Sequence, residues 1–296
     1  MTTSSVVIEQ KRKSALSRGL GAIWRFSKAK PLGAVAGLIL IFMVIIAIAG
    51  PWIEPYNPLD SNVRERFQSP SWIHPMGTDN LGRDVFSRII DGTRIALMVG
   101  ILSSFIGTTA GVILGVISGY LGGRFDMYFQ RFMDMIMAFP YLILAMAIVA
   151  VLGGSILNVV IAIAFPQIPT ANRVARSVAM TVKEATFIES ARAVGASQLR
   201  IIFRHVLPNA VASYLIILTS ALGNSILAEA SLSFLNLGVP PPYPSWGRAL
   251  NEAMQHFYTS PWLAIFPGIA ISLAVFGANL LGDALRDVWD PRLKRI

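Results

Sequence analysis

Cysteine is missing altogether from the 296 residues. That excludes a disulfide framework, a thiolate metal site and a cysteine nucleophile. Charge is scarce as well: Asp, Glu, Lys and Arg make up 14%, against roughly 25% in an average soluble domain. The three histidines, His74, His205 and His256, show no metal-ligand spacing. No Gly-Lys pair occurs, so the phosphate-cradling loop Gly-x4-Gly-Lys-Ser/Thr is absent. Neither His-Glu-x-x-His nor Gly-x-Ser-x-Gly is found. The chain therefore offers no catalytic, metal or cofactor site of its own, and any ATP hydrolysis must come from elsewhere.

Apolar residues, by contrast, make up 54%, and the mean hydropathy is +0.60. A soluble globule of this size cannot hide that much apolar surface behind so few charges. The composition is that of a membrane protein. The net charge of +9 then reads as Lys and Arg in cytoplasmic loops rather than as a nucleic-acid surface.

Stretches free of Asp, Glu, Lys and Arg locate the spans: 31–53, 95–123, 135–172, 206–228 and 257–282. About 20 apolar residues cross a bilayer as a helix. The stretch 135–172 is too long for one crossing, and Gly153-Gly154-Ser155 divides it as a tight turn. Six transmembrane helices follow, near 32–53, 95–119, 135–152, 156–178, 208–228 and 262–282. The fold class expected is an all-α membrane protein with a six-helix domain over 32–296, an external segment 54–94 and a long cytoplasmic loop 181–206. With the N-terminus inside, the cytoplasmic segments hold 19 Lys and Arg and the external ones 6. This bias places both termini in the cytoplasm.

The first hydrophobic segment is too long for a cleaved signal peptide and lies 31 residues into the chain. Within the tail 1–31, Leu16, Leu20, Ile23 and Trp24 recur at helical spacing beside Arg18 and Arg25. The tail is either an interfacial helix resting on membrane lipid or a disordered basic segment.

The loop 181–206 reads as two short helices. The first, about 183–194, ends at Gly195, and Ser197 caps the second. Leu199, Ile202, Phe203 and Val206 form one apolar stripe, with Arg200 and Arg204 on another face. Pro208 suits the first turn of the next helix. Such an elbow is either a docking element or a returning loop that rests on headgroups.

Glu189-Ser190-Ala191, Gly195 and Leu207-Pro208 resemble, at matching spacing, the EAA signature of ABC importer permeases. Ser190 stands for an Ala of that signature and His205 for an Ile. The resemblance implies that Glu189, Ala191, Arg192 and Gly195 form the ATPase-docking foot of a coupling helix, with Leu207 and Pro208 as anchors of the loop. Gly77-Thr-Asp-Asn-Leu-Gly-Arg-Asp-Val-Phe-Ser-Arg88, Glu229-Ala-Ser-Leu-Ser-Phe-Leu235, Pro244-Ser-Trp-Gly247 and Asn279-Leu-Leu-Gly-Asp283 resemble the dipeptide/oligopeptide (and nickel) importer branch, DppC/OppC type. That implies a type I ABC importer permease (MetI-like) architecture in the cytoplasmic membrane of a prokaryote. It also implies a second homologous permease, two ATPase subunits carrying ATP and Mg, and an extracytoplasmic peptide-binding protein. No nucleic acid partner is expected.

Two classes compete with an ABC importer for peptides. One is a nickel or other small-solute importer of the same plan. The other is a self-sufficient channel, secondary transporter or membrane enzyme. The spans carry almost no charge, which leaves proton relays and intramembrane catalysis without their usual groups. In the 77–94 segment, Asp79 is expected to cap a short helix holding Arg83, Asp84, Arg88 and Asp91. These charges form either a self-contained salt-bridge network or a surface for a partner. Glu229 is expected to reach water at the membrane edge, with a gate role as the alternative. Asn224 and Asn279 are expected to bond helix to helix, with a pathway role as the alternative.

Overall fold

The computed structural model describes residues 27–289. The helical spacing at Leu16 to Arg25 and the terminal Asp290-Pro291 lie outside the described residues. Among those described there is no strand, only an isolated bridge between Thr78 and Asp84. Four helices are long and apolar enough to cross a membrane, or five if one bent pair is a single span.

α1 (Pro31–Ile53) starts with Pro at its first turn, where a missing N–H costs nothing. The stretch 54–84 that follows holds no α-helix; its one regular turn is a 3-10 helix at Val63–Glu65. α2 (Val85–Leu121) begins ten residues before the expected span. At 37 residues it is about 55 Å long, well beyond a hydrocarbon core of roughly 30 Å. Its cap is Asp84, whose carboxylate accepts from Ser87 N and Oγ, both at 2.8 Å. Asp79 does not cap a helix. It accepts from Leu81 N at 2.8 Å and Arg83 N at 2.9 Å in a turn that Gly82, at φ +74°, keeps out of the helical region. Arg88 and Asp91 consequently ride on the first turns of α2.

Of the third expected span, 135–152, the structure keeps α4 (Tyr141–Leu152), which meets α3 (Gly123–Met137), a helix begun in the charged stretch before it, at 89°. Pro140 causes the break: it lacks an N–H and disfavours a helical Phe139. α5 (Ile156–Ala164), a 3-10 turn at Phe165–Gln167 and α6 (Ile168–Lys183) carry the fourth segment on to Lys183. Pro166 and Pro169 account for the 3-10 interruption, because each removes one i→i−4 bond. The loop helix α7 (Thr186–Ala193) starts three residues later than expected. A π-helical turn, Ile202–Val206, joins α8 (Gln198–Ile201) to α9 (Leu207–Asn209). α10 (Val211–Phe234), α11 (Trp246–Met254) and α12 (Trp262–Trp289) complete the described residues.

The long α2 is the central post, packed by α6, α10, α1 and α5. Its tightest partner is α6. A Cβ added to Gly107, Gly111, Gly115 or Gly119 would fall 2.3–2.8 Å from the carbonyl oxygens of Ala164, Ile168, Asn172 and Arg176 respectively. Every fourth residue of α2 thus meets every fourth carbonyl from the end of α5 along α6, backbone against backbone. In a membrane, where water drives no apolar burial between helices, such close contact is the main source of attraction. α10, α12 and α1 close the other side. The start of α1 and the end of α12 come together at Lys30 Nζ and Asp287 Oδ2, 2.5 Å apart, on one side of the bundle.

Asp79, Arg83, Asp84 and Arg88 of the 77–94 segment bond within the chain and are largely buried, whereas Arg94 is exposed. Arg83 bonds Asp79 at 2.6 Å and Glu252 of α11 at 3.1 Å, while His74 Nδ1 lies 2.9 Å from Asp84. The segment therefore clamps α11 onto the head of α2, and Trp246 Nε1 adds a bond to Ile89 O at 3.0 Å.

Candidate functional site

α7 and the turn after it hold the four predicted docking residues. Glu189 and Arg192 are exposed, Ala191 is half-buried and Gly195 is exposed. Gly195 owes its place to backbone geometry. Its φ is +80°, its N–H donates to Arg192 O at 2.9 Å, and Ala196 N donates to Ala191 O at 3.0 Å. That is the double bond pattern of a helix ending in a left-handed glycine. Ala191 and Ala196 pack inward against the cluster that buries Ile188, Ile201, Ile202 and Val206. Arg192 lies over the ring of Tyr120, the guanidinium carbon 5.6 Å from its centre.

The expected apolar stripe is split. Ile202 and Val206 are buried, but Leu199 and Phe203 are 67% and 53% exposed. Ile201 takes the inward place. The π turn is the reason: Leu207 N reaches back to Ile202 O, inserting one extra residue and rotating what precedes it. Pro208 has no N–H to give, and Asn209 Nδ2 bonds His205 O at 2.6 Å instead. Leu207 is half-buried in the cluster and Pro208 is exposed. The elbow therefore carries an exposed apolar set, Phe187, Val194, Leu199 and Phe203, beside Glu189.

A second site lies within the helical bundle. A cavity of about 500 Å³ is bounded by α2, α4, the 3-10 turn, α6 and α10. Its polar wall consists of Thr108, Tyr141, Gln167, Thr170, Ser220, Asn224 and Ser231, and no charged side chain lines it. Ser220, Asn224 and Ser231 follow one stripe of α10, within about 60° of helical rotation. Ser220 and Asn224 are exposed near the middle of that helix. On the opposite wall Gln167 is fixed by its amide nitrogen, which reaches Ile163 O at 2.8 Å, Ser225 Oγ at 3.0 Å and Tyr141 Oη at 3.3 Å. Gln167 Oε1 and Thr108 Oγ1 have no partner among the described residues.

The other two predicted pathway residues stand elsewhere. Glu229 does not reach water. It is 1% exposed, and its Oε1 accepts from Ser233 Oγ at 2.7 Å and Ser245 Oγ at 3.1 Å. The loop leading into α11 folds back over it and seals it from the surface. Nearby Arg248 donates to Val239 O, and burial lowers its guanidinium pKa against the pull of Glu252 and Glu229. Asn279 sits at the α10–α12 contact, its Oδ1 against Gly223.

Sequence reasoning missed Gln167 and the Asp126–Arg176 pair. Arg176 holds Asp126 with two bonds, at 2.8 and 2.6 Å, Ser118 Oγ donates to the same carboxylate, and Gln130 Nε2 donates to Ser118 Oγ at 2.8 Å and more distantly to Asp126 Oδ1 at 3.5 Å. Arg173 bonds Asp134 at 3.1 Å in parallel. Two arginines and two aspartates bordering charge-free stretches were the available signal; the Pro166-Gln167 break was the signal for the cavity wall.

Residues 111–295 match the family profile described as binding-protein-dependent transport system inner membrane component. Residues 20–70 match the N-terminal transmembrane domain of oligopeptide transport permease C. The chain is 46% identical over 272 residues to the glutathione transport system permease protein GsiD of Shigella flexneri serotype 5b (strain 8401), across 92% of this chain and 90% of that protein. It is 44% identical over 272 residues to GsiD of Escherichia coli O157:H7, with the same coverage.

Proposed function

This chain belongs to the binding-protein-dependent transport system inner membrane components and is the transmembrane subunit of an ABC importer, and we propose that it passes di- or oligopeptides along the polar stripe of α10. It is a permease subunit of the inner membrane and not itself catalytic, and partner ATPase and permease subunits follow from its family. ATP and Mg bind on those partners, and this chain holds no cofactor. The complement we propose is one homologous permease as heterodimer mate, two ATPases below and an external peptide-binding protein above. Within the bundle, α1, α2, the α3–α4 pair, α5–α6, α10 and α12 make six crossings, with both termini in the cytoplasm. The Lys30–Asp287 contact supports a common side for the two ends.

The single observation that carries the pathway is the exposure of Ser220 and Asn224 at mid-helix beside the 500 Å³ cavity. Polar groups turned to lipid at that depth are costly, so this face turns to a wet channel or to substrate. Hydroxyls and amides bond peptide N–H and C=O groups whatever the side chains are. With no fixed charge in the wall, a zwitterionic peptide meets no deep trap. A divalent cation would want carboxylate or imidazole ligands, and the cavity has neither. The relatives named for glutathione, itself a tripeptide, point the same way. At the cytoplasmic side, Glu189 and the exposed apolar set of the elbow fit the groove of an ATPase, with Ala191 and Gly195 holding α7 in shape.

Affinity purification of the chain from its native membrane in mild detergent tests the assembly, with partners identified by mass. A second permease and ATPases are expected, and ATP hydrolysis should rise with peptide-loaded binding protein. A stable homo-oligomer free of ATPase, even with ATP analogues present, overturns the coupling role of the elbow.

A further inference from the structure

Tyr120 closes the last turn of α2 and is only 5% exposed. Two cations from either side of the coupling segment lie over its ring. Lys183, the last residue of α6, places Nζ 5.9 Å from the ring centre. Arg192, in the last turn of α7, places its guanidinium carbon 5.6 Å away. Cations within about 6 Å of an aromatic face are drawn to its negative quadrupole. Tyr120 is also part of the buried cluster that holds Ile188 of α7 and Ile201 of α8. One ring thus meets the chain just before α7 and again at the end of α7.

We infer that Tyr120 is a positioning residue for coupling, the joint that fixes α7 to the foot of α2. The inference rests on the coupling role proposed for α7. A load on α7 then moves α2 instead of bending the loop. α2 and α6 shift together because glycines bring their backbones into contact along four turns. Thr108, on the cavity wall, lies on the same helix about 18 Å from Tyr120. Arg192 accordingly serves inside the chain, on Tyr120, while Glu189 has no side-chain partner among the described residues and stays available to an ATPase.

The experiment uses the full transporter in proteoliposomes, with a labelled tripeptide delivered by the binding protein. Tyr120→Leu is compared with Tyr120→Phe, which keeps the aromatic face. For Tyr120→Leu, uptake per ATP hydrolysed should fall roughly five-fold, with ATPase co-purification unchanged, and Tyr120→Phe should restore it. Because the chain has no cysteine, Ile113→Cys on α2 with Ser190→Cys on α7 creates a unique pair for spin labels at two exposed positions. Their distance distribution should be narrow with Tyr or Phe at position 120 and broad with Leu, with or without ATPases. Unchanged uptake per ATP, an equally narrow distribution in Tyr120→Leu, or a Phe variant as impaired as Leu overturns the joint. A narrow wild-type distribution in a chain that recruits no ATPase sinks the coupling reading alone.

Discussion

Glu229 and Ser245 stand sixteen residues apart, and the Ser245 hydroxyl donates to Glu229 Oε1 at 3.1 Å. That bond pins the N-terminal end of α11 to the side of α10. Gly247, two residues on, comes so close to Ala230 O that an added Cβ would lie 2.0 Å from it. Glu229→Ala should leave two buried hydroxyls without their acceptor, at a cost of about 1–3 kcal/mol. Glu229→Gln keeps an acceptor oxygen and should cost less. Thermal unfolding in detergent measures both, and an alanine variant that melts like the wild type refutes the clamp.

The glycine seam between α2 and α6 makes a sharper demand. A methyl group on Gly111 would lie 2.5 Å from Ile168 O and 2.6 Å from the Ala171 Cβ. Neither neighbour is the tip of a flexible side chain, so the helices must separate. Gly111→Ala should destabilise by about 1–3 kcal/mol and Gly111→Val by more. The corresponding change at Gly268, which has nothing within 4 Å, should be mild. Melting temperatures of the three variants decide the matter; equal values would mean that the seam is loose.

At the end of α7, Gly195 needs φ +80° and an N–H for Arg192 O. Proline supplies neither. Gly195→Pro should leave the protein inserted but uncouple ATP hydrolysis from uptake. Gly195→Ala, with open space around its Cβ, carries only the backbone strain, roughly 1–2 kcal/mol. Normal uptake by the proline variant would remove α7 from the coupling path.

In the cavity, Asn224→Leu keeps the volume of the wall and removes its amide. Loss of one hydrogen bond to a passing peptide, about 1 kcal/mol, corresponds to roughly a five-fold drop in uptake rate. ATP hydrolysis stimulated by loaded binding protein should stay near wild type. Asn279→Leu, away from the cavity at the α10–α12 contact, should act on stability and leave the rate per folded complex unchanged. The opposite ranking would move the pathway to the other face of α10.

Composition and local pattern carried much of the fold. The charge-free runs placed α1, α10 and α12 closely, because a lipid environment penalises any charge within them. Helix breaks were less legible. Pro140 cut the span expected over 135–152 back to α4 and set it at 89° to α3, and Pro208 rotated the start of the elbow by one residue. Both effects depend on which neighbours satisfy the freed carbonyls, and that is not written locally. The head of α2 was expected as a separate short helix because its charges masked a continuous one; Asp84 and Ser87 cap it ten residues upstream.

By itself the sequence determined the solvent, the helical class and the position of the elbow. Each of these follows from composition or from short-range spacing. The tertiary structure alone decided which polar groups line the cavity. Asn224 and Glu229 share α10 but face directions about 140° apart. One meets a 500 Å³ cavity, the other two serine hydroxyls under a returning loop. Helical spacing fixes the angle between two side chains, but only the packing of distant segments determines what each of them meets.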